Sequence, residues 1–172
     1  ADAVARIEQR QERQHEGGTE KLILAKNLLE KVFRGEEAKV VDSFKGKKLK
    51  GMKYNPLFTF VPLDKPAHFV ILGDFVTTED GTGLVHQAPA FGAEDMEMAK
   101  KYDLPILLTV QPDGTFIPEI TPWRGIFVKD ADPLIIKDLD ARGLLFRAGT
   151  ITHTYPFCWR CKTPLLYYAR ES

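Results

Sequence analysis

The chain has 172 residues, of which 44% are apolar and 28% charged, values that are ordinary for one globular domain with its own core. Its 24 basic and 24 acidic side chains cancel, so no overall electrostatic field favours a nucleic acid or a membrane surface as partner. The sequence has no apolar run of membrane-spanning length and no signal peptide, and it predicts a soluble protein of the cytoplasm.

The first quarter of the chain predicts strands around one short helix. In chain order these are an edge strand and a mobile hairpin loop over residues 1–18 (with His15 solvated), a strand at LILA 22–25, a helix over 27–33 ended by Gly35, and a strand over 39–44. Four lysines follow within residues 45–50. Such a cluster is typical of a solvated loop, and it could also contact the phosphates of a nucleic acid.

The rest of the chain predicts more short strands with two further helices. Expected strands are 57–61, 68–72 (with His68 structural), 104–110 and 126–128; a hairpin turn is expected at 112–115, a helix capped by Asp132 with Pro133 at its first position and ended by Gly143, and a last hairpin from 144–146 to 150–154. Many short strands with frequent Gly and Pro turns favour a compact, barrel-like α+β fold.

Residues 77–95, TTEDGTGLVHQAPAFGAED, form the central motif and look like a functional site. Gly81 and Gly83 flank Thr82, which permits a tight turn or a close approach to a ligand. A helix is expected from residue 93, which places Asp95 in its first turn, where the macrodipole favours a carboxylate. This anion, beside the glycine-rich turn and His86, could hold an ammonium group. Simple helix capping and a hydrogen-bonded core histidine are the alternatives.

The string GTGLVHQAPAFGAED resembles the core motif of the editing domain inserted in isoleucyl-tRNA synthetases, a class I family. The valyl and leucyl families typically carry Lys or Met where His86 stands, followed by a P-A-H-D segment. The resemblance covers nearly the whole chain, including LILAKNLLEKV, VVDSFKGKKLKG, AKKYDLPI and HTYPFCWRCKTPLLYYARES. It implies a small β-barrel with short peripheral helices, an editing domain over residues 1–152 and a segment over 153–172 that leads back to the catalytic core.

The resemblance also implies a reaction, the hydrolysis of mischarged valyl-tRNA(Ile), with valyl-adenylate as a further candidate substrate. These enzymes exclude valine poorly on binding, because it lacks only one methylene, and a second site hydrolyses what is small enough to enter it. Asp95 would pair with the α-ammonium group of the amino acid, and His86 would line its side-chain pocket and help to place water. Thr82 and Gly83 would shape the pocket, with Gln87 and Phe91 as neighbours.

Two departures from the family pattern limit what is expected of the chain by itself. The threonine-rich segment T-T-T-P-W-T is absent, and Thr77-Thr78 does not replace it. The aminoacylation signatures H-I-G-H and K-M-S-K-S are absent too. The chain is therefore interpreted as a piece of a larger enzyme, one that could be inactive alone. No cofactor is expected in the chain itself; ATP, magnesium and, as a candidate, zinc would belong to the full-length enzyme.

The two cysteines, Cys158 and Cys161, have a spacing that suits metal or redox chemistry. Zinc needs four ligands, so the pair is half a site, and His153 nearby does not complete it. Some family members carry a second pair elsewhere. For this chain, reduced thiols are expected.

Other functions stay open at this point. The chain could be a non-catalytic module that binds the tRNA(Ile) acceptor end, the editing domain of a valyl-tRNA synthetase, or a zinc-ribbon scaffold. The expected partners are the tRNA acceptor end and the valine moiety, with no membrane and a monomeric state.

Overall fold

One antiparallel sheet of three strands dominates the first part of the chain. The fold was analysed in a computed structural model that describes residues 4–11, 18–36, 38–79, 81–150 and 154–170. The strands are β1 (Val4–Gln11), β2 (Gly18–Ala25) and β3 (Ala38–Phe44), in the order β2-β1-β3. The β1–β2 hairpin and the strands at 22–25 and 39–44 are confirmed, whereas the prediction that the first strand lies at an edge is wrong. The loop that holds His15 lies outside the described residues.

The predicted helix over 27–33 is confirmed as a 3-10 turn, Lys26–Leu28, followed by α1 (Leu29–Phe33). It ends where Arg34 and Gly35 take left-handed backbone angles, with φ of 51° and 88°. A small core lies beneath it, made of Leu24, Ala25, Leu28 and Phe33. The end of β2 and this helical segment therefore form one packed corner.

Two longer helices follow, α2 (Ala93–Tyr102) and α3 (Val128–Ala141). The first confirms the expected helix at residue 93. The predicted start of the second is wrong: α3 begins at Val128, so Pro133 lies inside the helix and not at its first position. Since proline has no N–H, α3 lacks one hydrogen bond there. Gly143, with φ of 67°, ends α3 as predicted.

Most strands predicted after residue 56 are wrong. Segments 57–61, 68–72, 104–110, 126–128 and 144–146 are irregular or make isolated bridges such as Lys53↔Phe69, Val110↔Phe116 and Thr115↔Phe127. The turn at 112–115 is confirmed by the hydrogen bond from Gln111 N–H to the Thr115 carbonyl, 2.8 Å. The end of the expected last hairpin includes residues 151–153, which lie outside the described residues.

The apolar alternation of 57–61 is satisfied by aromatic packing. Phe58 and Phe60 meet the Trp123 ring edge-on, at centroid distances of 5.3 and 5.7 Å. Trp123, Ile120 and Ala131 are the buried centre of this cluster. Arg142 fixes the segment from α3, because its Nη2 donates to the Leu57 carbonyl at 2.6 Å. Side-chain contacts thus replace the predicted strand ladder.

The chain divides into two compact units, one of Ala1–Tyr54 with Phe69–Gln87 and one of Asn55–His68 with Ala88–Ser172. Helices and strands are both present, as the α+β prediction requires. Within the described ranges, strands form only the three-stranded sheet, so the barrel stays a prediction, as does the division at residue 152. None of the described helices is both long and apolar enough to cross a membrane.

Candidate functional site

The loop that begins the central motif is held by the packed corner of the first unit. Asn27 Nδ2 donates to the carbonyl and hydroxyl oxygens of Thr78, both at 3.0 Å, and Lys31 Nζ donates to the Glu79 carbonyl at 3.0 Å. The N–H of Ala25, at the end of β2, donates to the Thr82 carbonyl at 2.7 Å. The Thr82 backbone is thereby fixed while its side chain stays exposed.

Replacing Gly83 by any larger residue would strain its backbone and displace its neighbour. Its φ is 79°, in the left-handed region. A Cβ atom on it would also lie 2.6 Å from the Cβ of Ala25. The glycine therefore lets the loop turn and lie directly against the end of β2.

His86 and Gln87 end the first unit's share of the motif. His86 is exposed and makes no hydrogen bond or ion pair within the part of the chain that the structure describes. Gln87 is half-buried, and its Oε1 is buried without a hydrogen-bond partner among those residues. A buried oxygen without a hydrogen bond costs free energy, which makes Gln87 an exception among the buried polar groups of the described residues.

Asp95 lies in the first turn of α2, as predicted. Its Oδ2 accepts a hydrogen bond from the Ala88 N–H at 3.0 Å. A Cβ on Gly92 would stand 2.8 Å from the same oxygen, so a larger residue there would push the carboxylate out of its present position. The second oxygen, Oδ1, accepts no hydrogen bond from any described residue. The half-buried carboxylate is thus oriented by one oxygen and free to bind a cation with the other.

Phe91 has a structural contact that the sequence did not indicate. Its ring meets Tyr168 at a centroid distance of 6.1 Å and an angle of 70°. The carbonyl of its buried neighbour Ala90 accepts the N–H of Ala169 at 2.8 Å. The 3-10 turn Pro89–Phe91 is therefore held by the C-terminal segment of the same unit.

The predicted site residues divide between the two units, with Thr82, Gly83, His86 and Gln87 in the first and Phe91 and Asp95 in the second. The structure brings Thr82 and Gly83 together with Ala25, and Asp95 together with Ala88. Sequence reasoning missed Asn27, Lys31 and the Ala88 N–H. The Asn27 and Lys31 side chains donate hydrogen bonds to residues 51 and 48 positions away, and no local pattern in the sequence indicates such pairs.

The Cys158–Cys161 pair lies in a tight turn. Cys158 N–H donates to the Thr163 carbonyl and Lys162 N–H to the Cys158 carbonyl, both at 2.9 Å. Cys161 Sγ lies 3.2 Å from Thr163 Oγ1. Hydrogen bonds from the Thr163 hydroxyl, then its backbone and then the Cys158 thiol, lower the pKa of Cys161 from 9.0 to about 7.

This turn offers two thiols and no fuller ligand set. Across the described residues, no group of three or more His, Cys, Asp or Glu side chains could hold a metal ion. His153 lies outside those residues, so its relation to the pair stays a prediction. The half-site interpretation of Cys158 and Cys161 likewise stays a prediction.

Comparison with known proteins places the sequence of this chain in a family. Residues 20–130 match the family model described as "Leucyl-tRNA synthetase, editing domain". The chain is 54% identical over 153 residues to an isoleucine–tRNA ligase of Clostridium acetobutylicum, with 89% of the chain and 15% of the ligase covered. Over 155 residues it is 49% identical to that of Thermus thermophilus, with 90% of the chain and 14% of the ligase covered. The chain thus spans about 15% of the length of the curated relatives that it matches.

Proposed function

The chain belongs to the editing-domain family of the aminoacyl-tRNA synthetases, in the part of its sequence shared with isoleucine–tRNA ligases, and from this premise we propose that it hydrolyses mischarged valyl-tRNA(Ile). Water adds to the ester carbonyl carbon, and the bond from that carbon to the ribose oxygen breaks. The departing ribose oxygen takes a proton, which leaves free valine and an intact tRNA. Valyl-adenylate is a second substrate in this proposal.

The arrangement of Asp95 is the observation that supports the proposal best. One carboxylate oxygen is occupied by the Ala88 N–H at 3.0 Å, so the other oxygen has a defined direction. An α-ammonium group has donors that match it, and a charge-assisted pair would orient the ester for attack by water. A capping role alone would leave the second oxygen without a function.

The other motif residues keep, in this proposal, the roles that the family resemblance implies. His86 contacts the amino-acid side chain, excludes isoleucine and helps to place water; its exposed, unpaired imidazole is available for this. Thr82 and Gly83 supply a rigid backbone edge, since Ala25 fixes both. Gln87 and Phe91 are neighbours of the pocket.

The proposal also assigns the surroundings of the reaction. The tRNA(Ile) acceptor end is the partner, the reaction takes place in the cytoplasm, and the chain acts as a monomer. ATP, magnesium and zinc are assigned to the longer enzyme. The small β-barrel of editing domains is the expected surrounding fold.

Deacylation of valyl-tRNA(Ile) and isoleucyl-tRNA(Ile) tests the proposal. The chain is compared with a longer version that carries the threonine-rich segment, and Asp95→Ala is introduced in both. Valyl-selective hydrolysis that disappears with Asp95→Ala is expected. Binding of tRNA without hydrolysis by either version would replace the proposal with the non-catalytic binding module.

A further inference from the structure

A short basic segment of the first unit contains none of the residues assigned to the site. Residues 39–53 contain six lysines and one aspartate, a net charge of +5 in a chain whose total is 0. The aspartate, Asp42, already accepts a hydrogen bond from the Ser43 N–H at 2.7 Å. The positive charge of this segment is therefore not balanced from within.

The fold sorts these lysines to the outside. Residues Gly46–Leu49 form a 3-10 turn, in which side chains three positions apart lie above one another. Gly46 and Leu49 make the inward column, and Leu49 is only 6% exposed. Lys47 and Lys48 lie within the turn, and Lys45 and Lys50 flank it. All four lysines are exposed.

The turn is anchored, so the lysines do not lie on a loose loop. Met52 N–H donates to the Leu49 carbonyl at 2.9 Å, and Gly51 N–H donates to the Val70 carbonyl at 2.8 Å. Val70 N–H returns a bond to the Met52 carbonyl at 2.9 Å. A fixed backbone lowers the entropy cost of placing several charges against one partner.

None of the four lysines forms an ion pair or a side-chain hydrogen bond within the part of the chain that the structure describes. By contrast, Lys65 of the second unit pairs with Asp103 at 2.6 Å. Lysine ammonium groups bind phosphate as point charges. Four unpaired ammonium groups on one anchored turn match a polymer with regularly repeated phosphates.

We infer that this lysine turn, Lys45–Lys50, is a contact surface for the RNA sugar-phosphate backbone near the acceptor end. The inference rests on the proposed function for the identity of its partner. It adds a surface that supplies affinity without reading sequence, separate from the residues assigned to the ester.

The test is the salt dependence of binding to an RNA acceptor hairpin that carries no amino acid, measured by fluorescence anisotropy with the 172-residue chain. The triple variant Lys47→Ala, Lys48→Ala, Lys50→Ala should lower the slope of log K against log salt by about 3, equally for hairpins of different sequence. The ratio of the wild-type to the variant binding constant should then shrink about 60-fold between 50 and 200 mM salt.

Two control variants test whether the effect depends on where the positive charge lies and on the charge rather than the lysine side chain. Arg124→Ala, Lys137→Ala, Arg170→Ala removes the same charge from exposed positions of the second unit and should leave the slope unchanged. Replacing Lys47, Lys48 and Lys50 by arginine keeps the charge and should retain the slope.

An unchanged slope in the alanine variant, equal losses in both alanine triples, or no RNA binding by wild type would overturn the inference. Hydrolysis of a valylated hairpin is followed in parallel, with the same substitutions in the longer version that carries the threonine-rich segment. If hydrolysis persists with an unchanged slope, only the lysine surface is wrong. If the slope responds but no variant hydrolyses the ester, only the proposed function is wrong.

Discussion

The backbone N–H of Ala88 donates to Asp95 Oδ2 at 3.0 Å and fixes the direction of the carboxylate. The two residues lie seven positions apart, on either side of the 3-10 turn Pro89–Phe91. That turn and Gly92 bring the chain back over the first turn of α2. The geometry separates a structural oxygen from one that is free to bind.

Asp95→Asn should lower the hydrolytic activity without disturbing the fold. The asparagine oxygen can still accept the Ala88 N–H, but the charge that would pair with an ammonium group is lost. A hydrogen bond to a charged group contributes about 1.5–3 kcal/mol, so kcat/KM for valyl-tRNA(Ile) should fall about 10- to 150-fold. Deacylation kinetics measure this, in the shortest version of the protein that is active.

Glu94→Gln is the matched control, because Glu94 is an exposed acid in the same helical turn. It removes the same charge from the helix N-terminus and should leave kcat/KM nearly unchanged. Equal losses in the two variants would show that the helix needs any acid there and would end the specific role of Asp95.

Gly83→Ala should destabilise the first unit more than Gly81→Ala. Both glycines have a left-handed φ, 79° and 67°, so each substitution costs about 1–2 kcal/mol in backbone strain. Only at Gly83 would the new Cβ meet Ala25, at 2.6 Å, whereas Gly81 has nothing within 4 Å. The overlap should add about 1–3 kcal/mol. Urea unfolding of the two variants measures the difference, and equal values would contradict the close packing.

Replacing each of the two tryptophans by alanine should change the free energy of unfolding by very different amounts. Trp123 is 6% exposed and packs against Phe58 and Phe60, so its removal should cost about 3–5 kcal/mol of unfolding free energy. Trp159 is 78% exposed, and its removal should change stability by less than about 0.5 kcal/mol. Denaturant titration followed by circular dichroism reports both. A large loss from Trp159→Ala would reveal packing that the structure does not show.

Alkylation of Cys161 should follow a pKa of about 7. The thiolate is the reacting form, so the rate with iodoacetamide should rise as pH increases through 7 and level off above it. Thr163→Val removes the hydroxyl that contributes most to the lowered pKa. The midpoint should then move up and the rate at pH 7 should fall. Mass spectrometry of the labelled peptide assigns the reaction to Cys161, and Thr121→Val, at an exposed threonine elsewhere, should leave the midpoint in place.

The local features of the candidate site could be read from the sequence. Gly83 in a turn and Asp95 in a first helical turn follow from residue types and spacing, and the structure confirms both placements. The N–H of Ala88 could not be predicted, because its direction depends on the backbone path through Pro89–Phe91. The anchoring of the loop by Asn27 was also hidden, since its partner Thr78 is 51 positions away.

The fold was predictable where local pairing decides it. The β1–β2 hairpin and the helices α1 and α2 agree with their sequence signals. The sequence of segment 57–61 predicts a half-buried strand, and exposure does alternate through 57–60, since Phe58 and Phe60 are half-buried whereas Leu57 and Thr59 are exposed. A periodicity of two indicates which side chains are covered, whereas the presence of a hydrogen-bonded neighbour depends on distant parts of the chain.

The bond from Arg142 to the Leu57 carbonyl spans 85 positions and has a consequence for synthesis. Residues 55–68 belong to the same unit as α3, yet they leave the ribosome well before it. At about 5–20 residues per second, Leu57 waits about 4 to 17 s for Arg142, and Phe58 and Phe60 wait about 3 to 13 s for Trp123. During that interval two aromatic rings are without their native cover. This aromatic cluster of the second unit therefore cannot form during synthesis until the chain has been made as far as Trp123.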